Sequence, residues 1–337
     1  MIDLRSDTVT KPTPGMLDAM WSAEVGDDVL QEDPTIIALE EKTAKLFNHE
    51  AAIFCPSGTM TNQIAIRVHT QPQDEVICDK KSHIYNYEGG GIAYNSMASV
   101  RLLEGERGRF TAEEVEANIN VDDIHYPVTS LVCLENSVNK GGGSIYKLDE
   151  IKKIRSLCQK HQLSMHLDGA RLFNALIATD QTPKEHGQLF DSISLCLSKG
   201  LGAPVGSLLI GNTQFIKRAQ RVRKVLGGGM RQAGYLAAAG IYALDNQVQR
   251  LKEDHDRAKK IASILKQKSF VTSILPVETN IIIFSVDYPS GVDQLLQDLR
   301  SKGILAVKFG KKEVRLVTHL DFDDNQLQQF EKLIKTI

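Results

Sequence analysis

The segment Ser198-Lys199-Gly200-Leu201-Gly202-Ala203-Pro204 sets a lysine in a glycine-rich turn directly after the apolar run Ile193–Leu197. Lysine is the amine that forms Schiff bases when burial or a nearby cation lowers its pKa, and glycines let a flat group approach the backbone closely. A solvated loop lysine would fit the turn equally well. Met165-His166-Leu167-Asp168-Gly169-Ala170-Arg171 repeats the arrangement, with polar residues at the carboxyl end of an apolar run, where open α/β sheets bind ligands. Pyridoxal phosphate needs a lysine for its aldehyde and an acid against its pyridinium nitrogen. Asp168 and Lys199 supply that pair. The forked donors of Arg171 suit the cofactor's phenolate oxygen or a substrate carboxylate; the alternative is a local Asp168–Arg171 ion pair at a helix start.

A phosphate also needs a seat. Cys55-Pro56-Ser57-Gly58-Thr59-Met60-Thr61 follows an apolar run and opens a helix, so its first N–H groups and the Ser57 and Thr59 hydroxyls form an anion site around Gly58. His83 follows the run Val76–Cys78, where an imidazole can stack on a cofactor ring or move a proton; His125 is a second candidate. Glu88-Gly89-Gly90-Gly91 permits tight backbone approach nearby. Gly227-Gly228-Gly229-Met230-Arg231 reads as a turn between helices, from which Arg231 or Lys224 can reach a phosphate, including one in a neighbouring subunit; an ordinary turn with a surface arginine is the alternative. Arg315 lies inside an apolar run, where an unpaired charge is costly, and an amino-acid substrate would bring it a carboxylate. No metal ligands are assigned.

These groups need a scaffold that gathers strand ends. Ala51–Cys55, Glu75–Cys78, Ser130–Leu134, Ser164–Leu167, Ser192–Leu197 and Ser207–Ile210 read as short buried strands. Amphipathic stretches lie between them: one opened by Asp33-Pro34, one by the capping box Thr111–Glu114, then Leu148–His161 and Phe215–Leu226. Such alternation predicts a mainly parallel, doubly wound α/β sheet. After Leu244 a charged helical stretch, Asp245–Lys268, leads into a smaller α+β pattern: strands at Asn280–Val286 and Glu313–Leu320, a helix over Gly291–Lys302, and a last helix from Asp323. The expected division is residues 1–14 as an N-terminal segment that wraps over the protein rather than joining a sheet, 15–245 as a large cofactor-binding domain, and 246–337 as a small domain.

Composition narrows the partners. Of 337 residues, 40 are Lys or Arg and 42 are Asp or Glu, a net charge of −2, which argues against nucleic acid and anionic membrane as partners. The longest nearly apolar run, Gly234–Leu244, is too short to span a bilayer. The first residues carry no secretory signal. Five scattered cysteines without a CxxC pair read as buried free thiols and point to the cytosol. No GxGxxG follows the first strand, which disfavours a dinucleotide-binding enzyme.

Together these motifs resemble the threonine aldolase family of pyridoxal-phosphate enzymes, which cleave L-threonine and L-allo-threonine and share the aspartate-aminotransferase-like fold (fold type I). The resemblance spans nearly the whole chain. It runs from Leu4-Arg5-Ser6-Asp7-Thr8-Val9-Thr10 through Gly26-Asp27-Asp28-Val29, Ser57-Gly58-Thr59-Met60, Ser82-His83-Ile84, His166–Arg171 and Ser198–Gly202 to Gly228-Gly229-Met230-Arg231-Gln232 and Arg315-Leu316-Val317-Thr318-His319. It implies that Lys199 holds the cofactor's aldehyde, Asp168 its ring nitrogen, and Gly58 and Thr59 its phosphate, with Ser57 and Ser198 beside them and His83 stacked on the ring. Ser6, Arg171 and Arg315 then receive the substrate carboxylate; the expected base for the β-hydroxyl proton is His83 or His125, acting directly or through a water. A homotetramer, a dimer of dimers with shared sites, is also implied. Where the family often has Tyr-Gly after Gly26–Val29, this chain has Leu30-Gln31. Transamination or β-elimination would use the same Lys199 and Asp168, whereas the complete charge set of Asp168, Arg171, Lys199 and Arg315 argues against a non-catalytic binding role.

Overall fold

The structure is a computed structural model describing residues 1–337. Seven strands form one sheet: β1 (Ala51–Cys55), β2 (Asp74–Asp79), β3 (Ser99–Leu103), β4 (Val128–Glu135), β5 (Ser164–Gly169), β6 (Ser192–Cys196) and β7 (Ser207–Gly211). Their order across the sheet is β1-β7-β6-β5-β4-β2-β3. The pairs β2–β3, β2–β4, β4–β5 and β5–β6 are parallel, while β7 runs antiparallel to both neighbours. The expected mainly parallel α/β sheet is therefore present, with one reversed strand. Side chains alternate between its faces. Phe54, Ile77, Val132 and Leu134 enter the main core, whereas Ile53, Cys55, Val76, Cys78, Leu131 and Cys133 face two smaller clusters on the other side. Helices cover both faces, as parallel strands require.

Local sequence explains the covering helices. Thr13 caps α1 (Pro14–Trp21) and Asp33 caps α2 (Pro34–Phe47), each with proline in the first turn. The second Asp33 oxygen accepts a bond from the Gly234 amide at 2.8 Å, so this capping residue also anchors the start of the helix Gly234–Asn246. Ser57 caps α3 (Gly58–His69), and Thr111 and Glu114 complete their capping box. Two short helices, α4 (His83–Asn86) and α5 (Gly91–Ser96), follow β2.

Two expectations need correction, and one strand lies outside them. The N-terminal segment does join a sheet: Ile2–Asp3 pairs in parallel with Ile304–Leu305, and Ile2 and Leu4 are buried in the core of the C-terminal part. Their apolar side chains gain more from burial than the polar residues around them suggest. The stretch Asp245–Lys268 is not one helix. The chain turns between Asn246 and Leu251, and the next helix covers Leu251–Leu265, which buries Leu251 and brings His255 to Asn174 at 3.0 Å. Finally, β3 goes unnoticed in sequence because it is a half-exposed edge strand carrying Arg101.

The C-terminal part holds a four-stranded antiparallel sheet of β8 (Val271–Ile274), β9 (Ile281–Val286), β10 (Val307–Lys308) and β11 (Glu313–Val317), in the order β10-β11-β9-β8. The helices Leu251–Leu265, Gly291–Ser301 and Asp324–Ile334 pack against it.

Candidate active site

Every parallel strand leading into the site delivers a functional side chain at its carboxyl end, and α3 lies behind them. Lys199 stands three residues past β6. Its carbonyl accepts from the Gly202 amide at 2.9 Å, and Gly202 has φ +76° with Leu320 2.8 Å from where a Cβ would sit, so glycine is required there. The Lys199 Nζ lies 3.6 Å from the Cys196 Sγ. The same sulfur would be 2.5 Å from a Cβ on Gly58, which puts the start of α3 against the lysine turn. There Ser57 caps the Met60 amide at 3.2 Å, while the Gly58 and Thr59 amides serve no backbone carbonyl. Ser198 is half-buried in the same turn.

Asp168 is buried. One oxygen accepts from Asn62 Nδ2 at 3.0 Å and the other from the Ala170 amide at 3.0 Å. Asn62 is fixed in turn: its Oδ1 pairs with His166 Nε2 at 3.1 Å, and His166 Nδ1 reaches Ser192 Oγ at 2.8 Å. Burial holds His166 down to about 4, so it is a neutral link at ordinary pH. His83 Nδ1 bonds Glu88 Oε1 at 2.9 Å, and single atoms of His83, Glu88 and Asp168 all lie within 4.8 Å of one another. Glu135, paired in register with Asp168, accepts from the His83 amide at 2.7 Å and the Asn139 amide at 2.8 Å. Burial and the neighbouring Asp168 raise it to about 7.

Two arginines lie near enough to feel each other's charge. The Nε and Nη2 of Arg171 both donate to Asp7 at 2.7 Å, leaving Nη1 without a hydrogen bond inside the chain. The local Asp168–Arg171 pair is absent, because Asp7 is the better-placed carboxylate. Burial alone would raise Asp7, but the charge and hydrogen bonds of Arg171 outweigh it and hold the carboxyl at about 2. Arg315 differs. It donates from Nη1 to Asn139 Oδ1 at 2.8 Å and from Nη2 to the Arg5 carbonyl at 3.0 Å. Its Nε is buried without a partner, and the Phe309 ring packs 5.1 Å from its Cζ. Burial and the nearby Arg171 charge lower it to about 10. It is a largely buried cation held by neutral acceptors. Ser6, next to that Arg5 carbonyl, caps the short turn Asp7–Val9.

The Asp7–Arg171 pair should govern acid stability. Because the folded pKa lies below the unfolded value, its contribution is complete above about pH 4 and vanishes as pH falls through about 2. The shift from 3.8 to about 2 corresponds to about 2 kcal/mol. Thermal melts across that range should show the loss, and a parent-like acid slope in Asp7→Asn would contradict it.

Other expected residues are not brought together in the chain. Within one chain His125 stands apart from the other site residues: its side chain is 80% exposed and bonds Asp123 at 2.7 Å. It lies on the loop entering β4, at the amino end of the strand whose carboxyl end carries Glu135, about 20 Å of strand away. Arg231 pairs with Asp27 at 2.8 Å on the surface, and Lys224 lies exposed in the last turn of the helix Thr213–Val225. Their loop nevertheless packs on α3, since a Cβ on Gly228 would sit 2.3 Å from the Met60 Sδ.

The set fits pyridoxal phosphate. An amine, a buried carboxylate fixed by an amide, unused helix-start amides and a cation without a counter-charge are the groups that cofactor and an amino acid require.

Comparison with known proteins agrees with this geometry. The model of the β-eliminating lyase family matches residues 3–288. The low specificity L-threonine aldolase of Escherichia coli K12 is 43% identical over 330 residues, covering 98% of this chain and 97% of that one. Low-specificity L-threonine aldolase 1 of Arabidopsis thaliana is 42% identical over 325 residues, covering 94% and 91%. The solved structure of Leishmania major threonine aldolase superposes with a TM-score of 0.87 at 21% identity, covering 100% of this chain and 99% of that one.

Proposed function

We propose that this chain, which belongs to the β-eliminating lyase family, is a pyridoxal-phosphate-dependent aldolase that cleaves L-threonine and L-allo-threonine to glycine and acetaldehyde. The observation that carries the reading is Arg315, a largely buried guanidinium in no ion pair, within reach of the charges of Arg171 and Asp7, the second of which also feels Lys199. The substrate carboxylate enters the Arg315 fork, and the free Nη1 of Arg171 and the Ser6 hydroxyl complete the seat. Such positioning accounts for roughly 7–11 kcal/mol of a barrier. Lys199 would hold the cofactor's aldehyde, Asp168 its ring nitrogen, and Ser57, Gly58 and Thr59 its phosphate, with Ser198 in the same turn. When bound, pyridoxal phosphate supplies the sink for the electrons of the broken carbon–carbon bond. His83 takes the β-hydroxyl proton at Nε2, a step worth about 10²–10⁴-fold.

Residues 15–245 then form the cofactor domain and 246–337 the small domain, whose Arg315 reads the substrate. The assembly in this reading is a homotetramer, and an exposed apolar patch supports contact between copies. Leu17, Met20, Trp21 and Tyr235 line one apolar surface depression, Trp21 is 90% exposed, and a patch of this kind marks an interface. Lys224 and Arg231 would then face a neighbouring copy's phosphate. Five buried free cysteines support a reducing, cytoplasmic setting. No helix is long and apolar enough to cross a membrane.

Incubation with either L-threonine diastereomer should release acetaldehyde and glycine in equal amounts, from protein that light scattering reads as four copies. A keto acid formed without acetaldehyde would overturn the aldolase reading: with ammonia it would assign elimination, without it transamination.

A further inference from the structure

Glu88 is a carboxylate that the reaction as outlined does not use. Its side chain is fully buried. The chain turns sharply just beyond it, with Gly89 at φ +62° and Gly90 at φ +73°. At Gly91 a Cβ would stand 2.4 Å from the Gln63 Oε1, so only glycine lets α5 lie this close to α3. This turn aims Glu88 inward beneath His83.

There the carboxylate is fully engaged as an acceptor. Oε1 receives His83 Nδ1 at 2.9 Å and Asn62 Nδ2 at 2.9 Å, and Oε2 receives Gln63 Nε2 at 2.6 Å. Asn95 Nδ2 fixes Gln63 by donating to its Oε1 at 3.0 Å. Asn62 gives its other N–H to Asp168. One amide therefore holds both the acid assigned to the cofactor ring and the acid beneath the histidine.

We propose that Glu88 is a positioning residue that makes His83 the proton carrier of this site, holding the proton on Nδ1 and leaving Nε2 free for the substrate hydroxyl. The identity of that hydroxyl rests on the aldolase reading; the tautomer and the charge coupling do not. A carboxylate on one imidazole nitrogen fixes the tautomer and raises the basicity of the other. The charged and titratable groups around the ring agree. Burial alone would lower the His83 pKa, but the Glu88 hydrogen bond and then the Asp168 charge raise it above the ordinary histidine value, against opposition from Lys199. Glu135 meets the His83 amide, and Tyr87, with Lys140 over its ring, stands 5.6 Å from the imidazole.

The test compares parent holoenzyme with Glu88→Gln and Glu88→Asp, reading the pH profile of kcat/KM and the titration of carbon-13-labelled His83, assigned with His83→Asn. In Glu88→Gln the acidic limb and the His83 titration should move together to lower pH, and kcat at the optimum should fall about tenfold. Glu88→Asp keeps the charge and should shift both in the same direction by less, which also provides the comparison if the glutamine variant does not fold. A drop in kcat with both titrations unmoved would reduce Glu88 to a structural role and overturn the proposal. If the parent cleaves no threonine, the aldolase reading fails, while the His83 titration still decides the coupling.

Discussion

Lys199→Ala protein should be colourless after addition of pyridoxal phosphate and should release glycine from L-threonine about 10⁴-fold more slowly than the parent. Lys199 occupies a position no other amine shares. Lys199 Nζ has one neighbour within hydrogen-bonding reach, the Cys196 sulfur at 3.6 Å, and no carboxylate forms an ion pair with it. Its charge is nonetheless felt by His83 and by Asp7, so it stands between the two ends of the site. An amine left this free is available for a covalent bond, whereas a structural lysine would be paired. Folding should survive, because removal breaks no buried pair. Circular dichroism and elution volume should match the parent, and turnover within tenfold of the parent would remove Lys199 from the chemistry.

The large sheet was legible because its strands are short, apolar and separated by capped helices: Asp33, Ser57 and Thr111 each announce a helix within a few residues. The site residues at strand ends were legible for the same reason, since Lys199 and Asp168 interrupt apolar runs at one repeated position. What could not be read locally is pairing across the chain. The partner of Arg171 is Asp7, 164 residues away, and nothing in the spacing from Asp168 to Arg171 distinguishes that from a local ion pair. Asn62 looks like an ordinary polar residue on a helix, yet its amide joins Asp168, Glu88 and His166. The Glu88 glycine run was visible as a place of close approach, but the inward aim of the carboxylate follows from two left-handed glycines together. His125 shows the converse difficulty: a histidine near a strand suggests chemistry, but this one precedes its strand, on the side of its own chain away from the strand ends that carry Asp168 and Lys199.

Arg315→Leu should lower kcat/KM for L-threonine by about 10²–10³-fold while leaving the melting temperature at or above that of the parent. The catalytic loss follows from removing one partner of a buried charge pair, which costs about 3–4 kcal/mol, a tenfold change per 1.4 kcal/mol. The stability gain has a separate cause. Within the chain Arg315 is a largely buried cation with an unpartnered Nε, held only by Asn139 and the Arg5 carbonyl. A charge desolvated without a counter-ion works against folding, and burial with the Arg171 charge already pulls its pKa down to about 10. Leucine removes that cost, and the lost Asn139 and Arg5 hydrogen bonds offset part of the gain. Arg315→Lys should recover about tenfold of the activity, since it restores the charge but not the fork. The two measurements must diverge, with weaker catalysis and equal or greater stability. A lower melting temperature with unchanged kcat/KM would make Arg315 a structural residue and leave the substrate carboxylate to Arg171.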